Sequence, residues 1–508
     1  MKKVLRSVLV ILLIAMLMMT TACGSKGKPK EDQHLNVAIY WNPNVDTMNS
    51  WGGWWTMRYG IGETLLVMNA DMQLDYCLSD EWTMLDHQTY KFHIRKGVKF
   101  SNGNDMTPQT VADSITRIAE GNSRGANLKL DYAEVDGEYV IFHLTEPYSG
   151  FPYMITEPMC CILDTTQDMT NYDIYPIGTG PYKVIDYVPD EKWELEANEY
   201  YWKGAPSIKY ITNYNIATDT RMEALLSGQI DMAYQPATSS LVQIEGSDKY
   251  KVVSALGTRV SCVNFNCSPD RPLGNKDLRL ALTWAVDRAV LAQIVGNGTA
   301  EPCALAFPVS SGYDLSNVKA PGYDLEKAKE YLKAAGYEDS DGNGFVDKDG
   351  EELVLTIILS SSTSTAVYSS LKDMWAELGV NVKIEMLENV SDRRAAGDFD
   401  IISGGWQTMN NGDGQSSVKN RWGTGGPDNF YGYSSAEFDE IMTRIDNTFD
   451  PVERAKIFTE LTQFIADEGL ACFYAATANY HVINADVVDE FTIYPLDYYV
   501  IDGTWTMK

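Results

Sequence analysis

The sequence predicts an α/β protein folded into at least two lobes. Its 508 residues exceed what a single hydrophobic core usually organises. Hydrophobic residues make up 44% of the chain, which is typical of a folded globular protein. Segments with the period of a strand alternate with segments with the period of a helix, and this order predicts a mostly parallel sheet covered by helices.

The alternation is clearest in the second half of the chain. Asp324 has the chemistry of an N-cap, apolar residues follow it at helical spacing, and Gly336 ends the segment. The run LVLTIILS at 353–360 predicts a buried strand. A second amphipathic helix that ends at Gly379 and a strand over 380–386 complete a βαβ unit.

The first 22 residues have the pattern of a bacterial signal peptide. Three basic residues precede an apolar run over 8–19, which is too short to span a bilayer as a helix. Small residues then precede Cys23 in TTAC, which is similar to the lipobox of a bacterial lipoprotein. We therefore expect a lipid anchor on Cys23, with ordinary cleavage near Ala22 as the alternative. Residues 23–33 are mostly polar and lack the apolar side chains that form a core, so they predict a flexible lipidated tether.

The charge of the chain argues against nucleic acid as a partner. Lys and Arg total 41 against 70 Asp and Glu, and the formal net charge is −29. Such a surface repels the phosphates of nucleic acids and of anionic lipids.

The eight cysteines predict no disulfide framework. Acylation of Cys23 would leave an odd number, which cannot pair completely. The adjacent residues Cys160 and Cys161 cannot easily bridge each other.

Two segments partly match enzyme motifs, but the residues around them do not fit the structure that each motif requires. GNSRG at 121–125 fits the G-x-S-x-G pattern, but a nucleophile elbow needs a strand before the serine, and TVADSITRIAE before it has helical spacing. PIGTGPY at 176–182 lacks the Lys-Ser/Thr of a phosphate loop and the third glycine of a dinucleotide site. The five histidines have no partners at metal-binding spacing, so no zinc site and no required cofactor are predicted.

One acidic loop has the spacing of a calcium-binding loop. DSDGNGFVDKDG at 339–350 places Asp339, Asp341, Asn343 and Asp347 at positions one, three, five and nine. Position twelve is a glycine instead of the usual bidentate glutamate. A structural calcium ion and a bare solvated acidic loop are both open.

The basic segment HIRKGVKFSNGNDMTP at 93–108 is interpreted as two turns instead of a phosphate site. Alternating apolar residues on both sides of Lys96 and Gly97 predict a hairpin, and Asn102 with Gly103 predicts a second turn. We expect its cations to be solvated or paired with carboxylates, because the protein is acidic.

This segment is part of a longer motif that resembles one family. LSDEWTMLDHQTYKFHIRKGVKFSNGNDMTPQTVADSI at 78–115 is similar to the signature of the family 5 solute-binding proteins, the extracellular receptors of peptide and nickel ABC importers. Further similar segments follow in the same order at 175–208, 224–234, 263–291 and 322–337. The resemblance covers nearly all of the mature chain.

The resemblance implies a periplasmic-binding-protein type II-like fold, with two α/β lobes, a hinge and a small extra subdomain. Lobe I would hold residues 34–264 and the return segment 481–508, with the subdomain near 76–175, and lobe II would hold 265–480. The chain would cross between lobes at VNFNCS and at FYAATANYHVIN. Closure of the lobes on a solute would be sensed by the permease and its ATPase, without any bond being made or broken.

The resemblance also implies ligand contacts. In peptide-binding members an Asp downstream of a Gly-Trp strand end pairs with the ligand's α-ammonium, and FDIISGGWQTMNNGDGQ at 399–415 places Trp406 and Asp413 at the matching positions. A buried carboxylate that faces an amine makes a strong charge-assisted hydrogen bond. The family's Asp-Pro is Asp-Gly here, so a plain turn residue stays open for Asp413. The other expected contacts are Arg421, against a ligand carboxylate, and two tryptophans on the lobe I wall, Trp41 and Trp51.

The predicted function is capture of a small solute, with a di- or oligopeptide favoured over a nickel chelate or an oligosaccharide. A nickel-chelate receptor needs His or Arg together with Trp in its cleft, and histidine is scarce here. A secreted hydrolase would need a nucleophile or a paired acid and base, and no such set has a credible spacing. The expected location is extracytoplasmic, anchored to the cell membrane through the lipid on Cys23, either on the periplasmic side or on the outer face of a Gram-positive-type membrane.

Replacing Cys23 tests the anchor. If Cys23 is acylated, the native protein should partition with membranes, and Cys23→Ser should leave the chain unprocessed because the lipoprotein peptidase requires the modified cysteine. Mass spectrometry of the mature N-terminus is the measurement. A mature chain that begins at any other residue would contradict this prediction.

Overall fold

The computed structural model describes residues 33–508, so the predicted signal peptide and Cys23 lie outside the described residues. The strands are labelled in chain order as β1 (His34–Ala38), β2 (Leu66–Met68), β3 (Leu74–Tyr76), β4 (Ser79–Asp86), β5 (Thr89–Ile94), β6 (Leu130–Asp136), β7 (Tyr139–Leu144), β8 (Tyr182–Val188), β9 (Lys192–Ala197), β10 (Tyr210–Tyr214), β11 (Met232–Tyr234), β12 (Tyr250–Phe265), β13 (Ala300–Pro302), β14 (Asp347–Lys348), β15 (Glu351–Glu352), β16 (Val354–Ser360), β17 (Asn381–Leu387), β18 (Ile401–Gln407) and β19 (Ala471–Asn484).

The α-helices are labelled in the same way as α1 (Gly52–Arg58), α2 (Pro108–Gly121), α3 (Phe151–Met154), α4 (Arg221–Ser227), α5 (Lys276–Trp284), α6 (Arg288–Gly296), α7 (Leu325–Ala334), α8 (Ala366–Ala376), α9 (Ser391–Ala395), α10 (Gln415–Trp422), α11 (Ala436–Asp446) and α12 (Pro451–Glu468). Within residues 33–508, none of them has the length and apolarity needed to cross a lipid bilayer.

The molecule is built around one long mixed sheet. Its strand order is β17-β16-β18-β12-β19-β11-β1-β10-β9-β8, and β13 pairs with β19. β12 and β19 pair antiparallel from Tyr250 opposite Asn484 to Asn264 opposite Ala471. β18, β16 and β17 lie on the β12 side of this pair, and β11, β1, β10, β9 and β8 lie on the β19 side, where β13 also pairs. This arrangement confirms the bilobal α/β fold that the sequence predicts.

The register of the pairing between β12 and β19 shifts at two points, between Leu256 and Arg259 and between Ser261 and Cys262. The first shift leaves an irregular step on β12. A Cβ atom on Gly257 would lie 2.8 Å from the carbonyl oxygen of Thr477, so this close approach of two backbones requires glycine. The step lies upstream of the crossing predicted at 263–268, and the lobe boundaries themselves stay a prediction.

The βαβ unit of lobe II forms as predicted. α7 begins after Asp324, whose side chain accepts a hydrogen bond from the Lys327 amide at 3.0 Å. β16 and β17 are parallel, with α8 between them in the chain, as are β16 and β18. Most other pairs of the long sheet are antiparallel, so the prediction of a mostly parallel sheet is correct for this unit and wrong for the sheet as a whole. Trp375 on α8 is fully buried, and its indole N–H donates to the carbonyl oxygen of Leu282 at 2.9 Å.

A separate antiparallel sheet, in the order β4-β5-β7-β6, forms the small subdomain. α2 covers this sheet. Its N-cap is Thr107, whose hydroxyl accepts from the Thr110 amide at 3.2 Å, and Pro108 occupies the first helical position. Val111 and Ile115 of α2 lie in the core of the subdomain.

The hairpin predicted at Lys96 and Gly97 is wrong. β5 ends at Ile94 and pairs with β4 and β7, not with the residues that follow Gly97. Val98 and Phe100 alternate because both are buried in the subdomain core, which produces the same pattern as a strand. The turn predicted at residues 102–103 is confirmed by the antiparallel bridge between the residues that flank it, Lys99 and Asp105.

The seven cysteines within residues 33–508 are all buried and unpaired. Burial raises the pKa of the Cys262 thiol to about 12 and the pKa of the Cys267, Cys303 and Cys472 thiols to about 11. These thiols stay protonated at neutral pH and lack the reactivity of a catalytic cysteine.

Candidate ligand-binding cleft

A cavity of about 610 Å³ lies between the two lobes. Lobe I contributes residues around the start of α1, after α2 and after α3, and lobe II contributes the end of β18, the following loop and α10. Arg259 reaches the cavity from β12, directly after the irregular step. A volume of this size falls in the range of about 300–1,000 Å³ that is usual for small-molecule sites.

The lobe II wall is organised by a tryptophan and an arginine. The guanidinium of Arg421 lies over the Trp406 ring, 4.0 Å from its centroid. One guanidinium nitrogen also donates to the Asn264 side-chain oxygen and to the Tyr431 hydroxyl, both at 3.1 Å. These three contacts hold the cation in one orientation, with the cavity beside it.

The lobe I wall has the same combination of residues. The guanidinium of Arg124 lies 3.9 Å from the centroid of the Trp51 ring. It also forms an ion pair with Glu157, whose side chain is buried. Trp51 itself is half exposed, which leaves much of its ring open to the cavity.

The electrostatics of the cleft oppose those of the whole protein. Three guanidinium groups, those of Arg124, Arg259 and Arg421, face the cavity against two carboxylates, those of Glu157 and Asp428. The chain as a whole carries a net charge of −29. A concave site with fixed cations concentrates positive potential locally, so the cleft favours an anionic group.

Several buried polar atoms of the wall have no partner among residues 33–508. They are the side-chain oxygen of Gln407 and the indole nitrogens of Trp54 and Trp406. Buried polar groups are nearly always hydrogen-bonded in a working protein. An occupant of the cleft that carries both donors and acceptors would satisfy them.

Three of the five predicted ligand contacts line this cavity: Trp51, Trp406 and Arg421. Trp41 does not line it, because its ring packs against Tyr187 and Trp193 at centroid distances of 5.9 and 6.1 Å. Whether the three lining residues bind a ligand stays a prediction.

The structure does not place Asp413 where an amine anchor would have to be. Asp413 is 3% exposed and forms an ion pair with the buried Arg454, with 2.5 Å between carboxylate oxygen and guanidinium nitrogen. Arg454 also donates to the side chains of Gln415, at 2.6 Å, and Ser149, at 3.2 Å. The carboxylate is thus neutralised internally. For this reason the structure does not support the expectation that Asp413 faces a ligand ammonium, which stays a prediction from the resemblance.

The ion pair also joins the lobes. Ser149 belongs to the subdomain of lobe I, and its hydroxyl accepts from Arg454 and donates to the carbonyl oxygen of Ile445 on α11. Burial, together with the nearby charge of Asp413, raises the pKa of the Tyr153 phenol, which therefore stays protonated beside the pair.

Sequence reasoning missed Arg124 and Arg259. Arg124 lies in the GNSRG motif that was considered only for its serine, and Arg259 lies in a strand with small and apolar neighbours. The only signal in the sequence for Arg259 is that it is an isolated arginine in a strand with an otherwise apolar pattern.

The acidic loop at 339–350 is held by its own hydrogen bonds. The Asp339 carboxylate accepts from the amides of Gly342, Asn343 and Gly344, and that of Asp347 accepts from Ser340. The Ser340 hydrogen bonds lower the pKa of the Asp347 carboxyl. Within the described part of the chain, no group of three His, Cys, Asp or Glu side chains is arranged to hold a metal ion. Calcium at this loop stays a prediction from the sequence pattern.

The fold and the cleft define a two-lobed protein that closes on a small solute. The chain belongs to the bacterial extracellular solute-binding proteins of family 5, whose model matches residues 73–429. It is thus a solute-binding protein of the kind that serves ABC importers. Its family consists of extracytoplasmic binding proteins, not enzymes.

Known relatives differ in what they bind. The chain is 24% identical to heme-binding protein A of Haemophilus influenzae, over 76% of each chain, and 25% identical to the oligopeptide-binding protein AppA of Bacillus subtilis, over 82% of this chain and 81% of that one. The crystal structure of a nickel ABC transporter protein from Bacillus halodurans superposes with a TM-score of 0.80 at 24% identity, over 93% of this chain and 99% of that one.

Replacing Asp413 tests its assignment as a structural residue. Asp413→Asn should lower the free energy of unfolding by about 3–5 kcal/mol, because Arg454 is left as an uncompensated buried charge. Denaturant unfolding followed by circular dichroism is the measurement. Asp428→Asn is the matched control, because Asp428 lines the cleft and forms no ion pair with a described residue. An unfolding midpoint equal to that of the wild type would contradict the assignment.

Removing calcium tests the acidic loop. If the loop binds the ion, a chelator should lower the melting temperature and added calcium should restore it, because a ligand that binds only the native state stabilises it. Asp341→Ala should abolish this response. Identical melting curves with chelator and with calcium would mean that the loop is bare solvated charge.

Proposed function

We propose that the protein captures a small carboxylate-bearing solute, with a di- or oligopeptide as the preferred ligand, and delivers it to the permease of an ABC importer. The observation that carries the proposal is the set of three arginines around one cavity between the lobes. Closure would bring the lobe I and lobe II arginines onto the same ligand.

Guanidinium groups suit a carboxylate because their parallel N–H donors match its two oxygens. Stacking on Trp51 and Trp406 restricts Arg124 and Arg421, so little conformational freedom remains to be lost on binding. The indoles also exclude water from one face of each cation. A carboxylate bound there makes hydrogen bonds that are stronger than those in water.

The polar lining of the cleft supports a peptide. Side-chain amides and hydroxyls surround the arginines, from Gln407, Asn410, Asn411, Ser416, Ser417 and Asn420. These groups match the alternating N–H donors and C=O acceptors of a peptide backbone. Because Asp413 is already paired with Arg454, the proposed anchor is the carboxylate end of the peptide and not its amine.

A carboxylate chelate of nickel is the second candidate. The cleft combines arginine with tryptophan, the pair that such a receptor needs, and no histidine is among the residues that line it in the described chain. A metal would therefore have to arrive already held by an organic acid. An oligosaccharide is a weaker candidate because it offers no anion to the three arginines.

The lipid anchor and the partners belong to the same proposal. The pattern of residues 1–23 supports export and acylation of Cys23, and the polar segment 23–33 supports a tether that lets the lobes reach the membrane permease and its ATPase. The tether would lead directly into β1 of lobe I.

Modified peptides test which end of the ligand is held. Calorimetric titration of the mature protein should show that amidating the peptide's C-terminus weakens binding by about 10- to 100-fold, since a charge-assisted interaction is lost. Acetylating the N-terminus should change the affinity by less than about 3-fold, because the buried carboxylate of the lining, that of Glu157, is already paired with Arg124, and that of Asp428 is exposed to water. An amidated peptide that binds as tightly as the free acid would refute the proposal.

The role of Arg421 is tested with a matched pair of variants. Arg421→Gln should weaken binding of the free-acid peptide but not binding of the amidated peptide. The four affinities together complete a double-mutant cycle. Lys419→Gln is the control, because Lys419 carries the same charge on the same helix but pairs with Asp446 and does not line the cavity. Nickel with histidine, or with a tricarboxylic acid, is titrated in parallel to decide between the two candidates.

A further inference from the structure

A second, smaller cavity adjoins the cleft on the lobe I side. It measures about 310 Å³ and shares Trp51, Trp54 and Arg259 with the main cavity. Its remaining wall includes Tyr40 and Trp55. We call this cavity the annex. Because three residues border both cavities, a group that enters the annex can belong to a molecule that occupies the cleft.

The walls of the annex are aromatic and held in place. Trp51 and Trp54 meet edge to face at a centroid distance of 5.4 Å. The guanidinium of Arg58, a residue that is 4% exposed, lies 4.8 Å from the centroid of Tyr40 and 4.7 Å from that of Trp55. Rings fixed in this way form a preorganised surface for another flat apolar group.

Two polar atoms of the residues that line the annex have no partner within residues 33–508: the indole nitrogen of Trp54 and one carboxylate oxygen of Asp497. Asp497, which is 8% exposed, uses one carboxylate oxygen to pair with Arg58 at 3.2 Å and with Arg259 at 3.4 Å. Its other carboxylate oxygen, Oδ1, is buried and accepts no hydrogen bond from the described chain. A buried acceptor without a hydrogen bond destabilises the folded state, so a ligand that donates a hydrogen bond to this atom would gain affinity.

The charges around Asp497 define the donor. Two guanidinium groups, those of Arg58 and Arg259, are held against one carboxylate, so the site carries an excess of positive charge. A ligand ammonium would be repelled by the arginines. A neutral O–H or N–H group has no such penalty and can still donate to Oδ1.

We propose that the annex is a side-chain subsite for a planar aromatic group that carries a neutral hydrogen-bond donor, a phenol or an indole, whose O–H or N–H reaches Oδ1 of Asp497. This inference rests on the proposed function, since it assigns a place to one side chain of the carboxylate-anchored peptide. It makes the receptor selective for peptides that contain tyrosine or tryptophan.

Three sets of tripeptides with free carboxyl ends test the subsite, each with Ala, Leu, Phe, Tyr or Trp at one of the three positions of tri-alanine. A fourth set repeats the best position with the C-terminus amidated. At one position Tyr or Trp should bind about 10- to 100-fold more tightly than Ala, from burial of the ring. Tyr should bind about 10-fold more tightly than Phe, from the hydrogen bond to a charged acceptor.

The comparison of Phe with Tyr measures the role of Asp497 without replacing it, which matters because Asp497 also neutralises Arg58. Trp55→Leu should abolish the preference for aromatic side chains and leave the affinity for tri-alanine unchanged, since Trp55 borders the annex and not the cleft. Trp41→Leu is the matched control, because Trp41 lies outside both cavities and should leave every affinity unchanged.

The outcomes separate the two proposals. If tri-alanine and its relatives bind but no position prefers an aromatic side chain, or Trp55→Leu keeps the preference, the subsite is refuted while the proposed function stands. If no peptide binds, the proposed function fails. In that case 4-methylphenol and 3-methylindole are each titrated into the protein, and their affinities are compared with that of toluene, which carries no hydrogen-bond donor. Equal binding of all three compounds, or binding that Trp55→Leu does not weaken, would then refute the subsite as well.

Discussion

The antiparallel pairing of β12 with β19 is the constraint on which the rest of the structure depends. These two strands contain the residues at which the chain is predicted to cross between lobes, and every other strand of the long sheet lies on one side of them or the other. Gly257 makes the irregular step in this pairing possible, because any side chain there would meet the backbone of β19. Arg259 follows the step directly, so the point where the lobes meet also supplies a cation to the cleft.

The distribution of charge explains how an acidic protein can present a basic cleft. Each cation of the site is held by a ring or a carboxylate behind it: Arg124 by Trp51 and Glu157, and Arg421 by Trp406. Glu157 and Asp497 pair with Arg124 and Arg259 of the site, while Asp413 pairs with Arg454 and Arg421 forms no ion pair with a described residue. The chain as a whole is negative, while the few oriented cations inside set the preference for a ligand.

The sequence predicted the parts of the fold that depend on local pattern. The βαβ unit follows from the cap at Asp324, the glycine at 336 and the apolar periods between them, and these residues act on their own neighbours. The site depends on contacts across the chain. The prediction for Asp413 rests on its position after Trp406, and its partner Arg454 lies on a later helix, so no sequence pattern indicates their ion pair. Arg259 stands out only as an isolated arginine in a strand, and a strand pattern does not show which residues face a cavity. The misassigned hairpin at residues 96–97 has the same cause, since burial of Val98 and Phe100 against the subdomain core imitates the alternation of a paired strand.

The buried thiols have a consequence for the life of the protein outside the cytoplasm. All seven in the described chain are protonated and enclosed, so the fold itself protects them from oxidation. Unfolding would expose them together in an environment that favours disulfides, and the many non-native pairings open to them would form before both lobes could reassemble. Loss of structure is then irreversible. The working lifetime of such a receptor is set by its rate of global unfolding and not by the equilibrium between folded and unfolded chains.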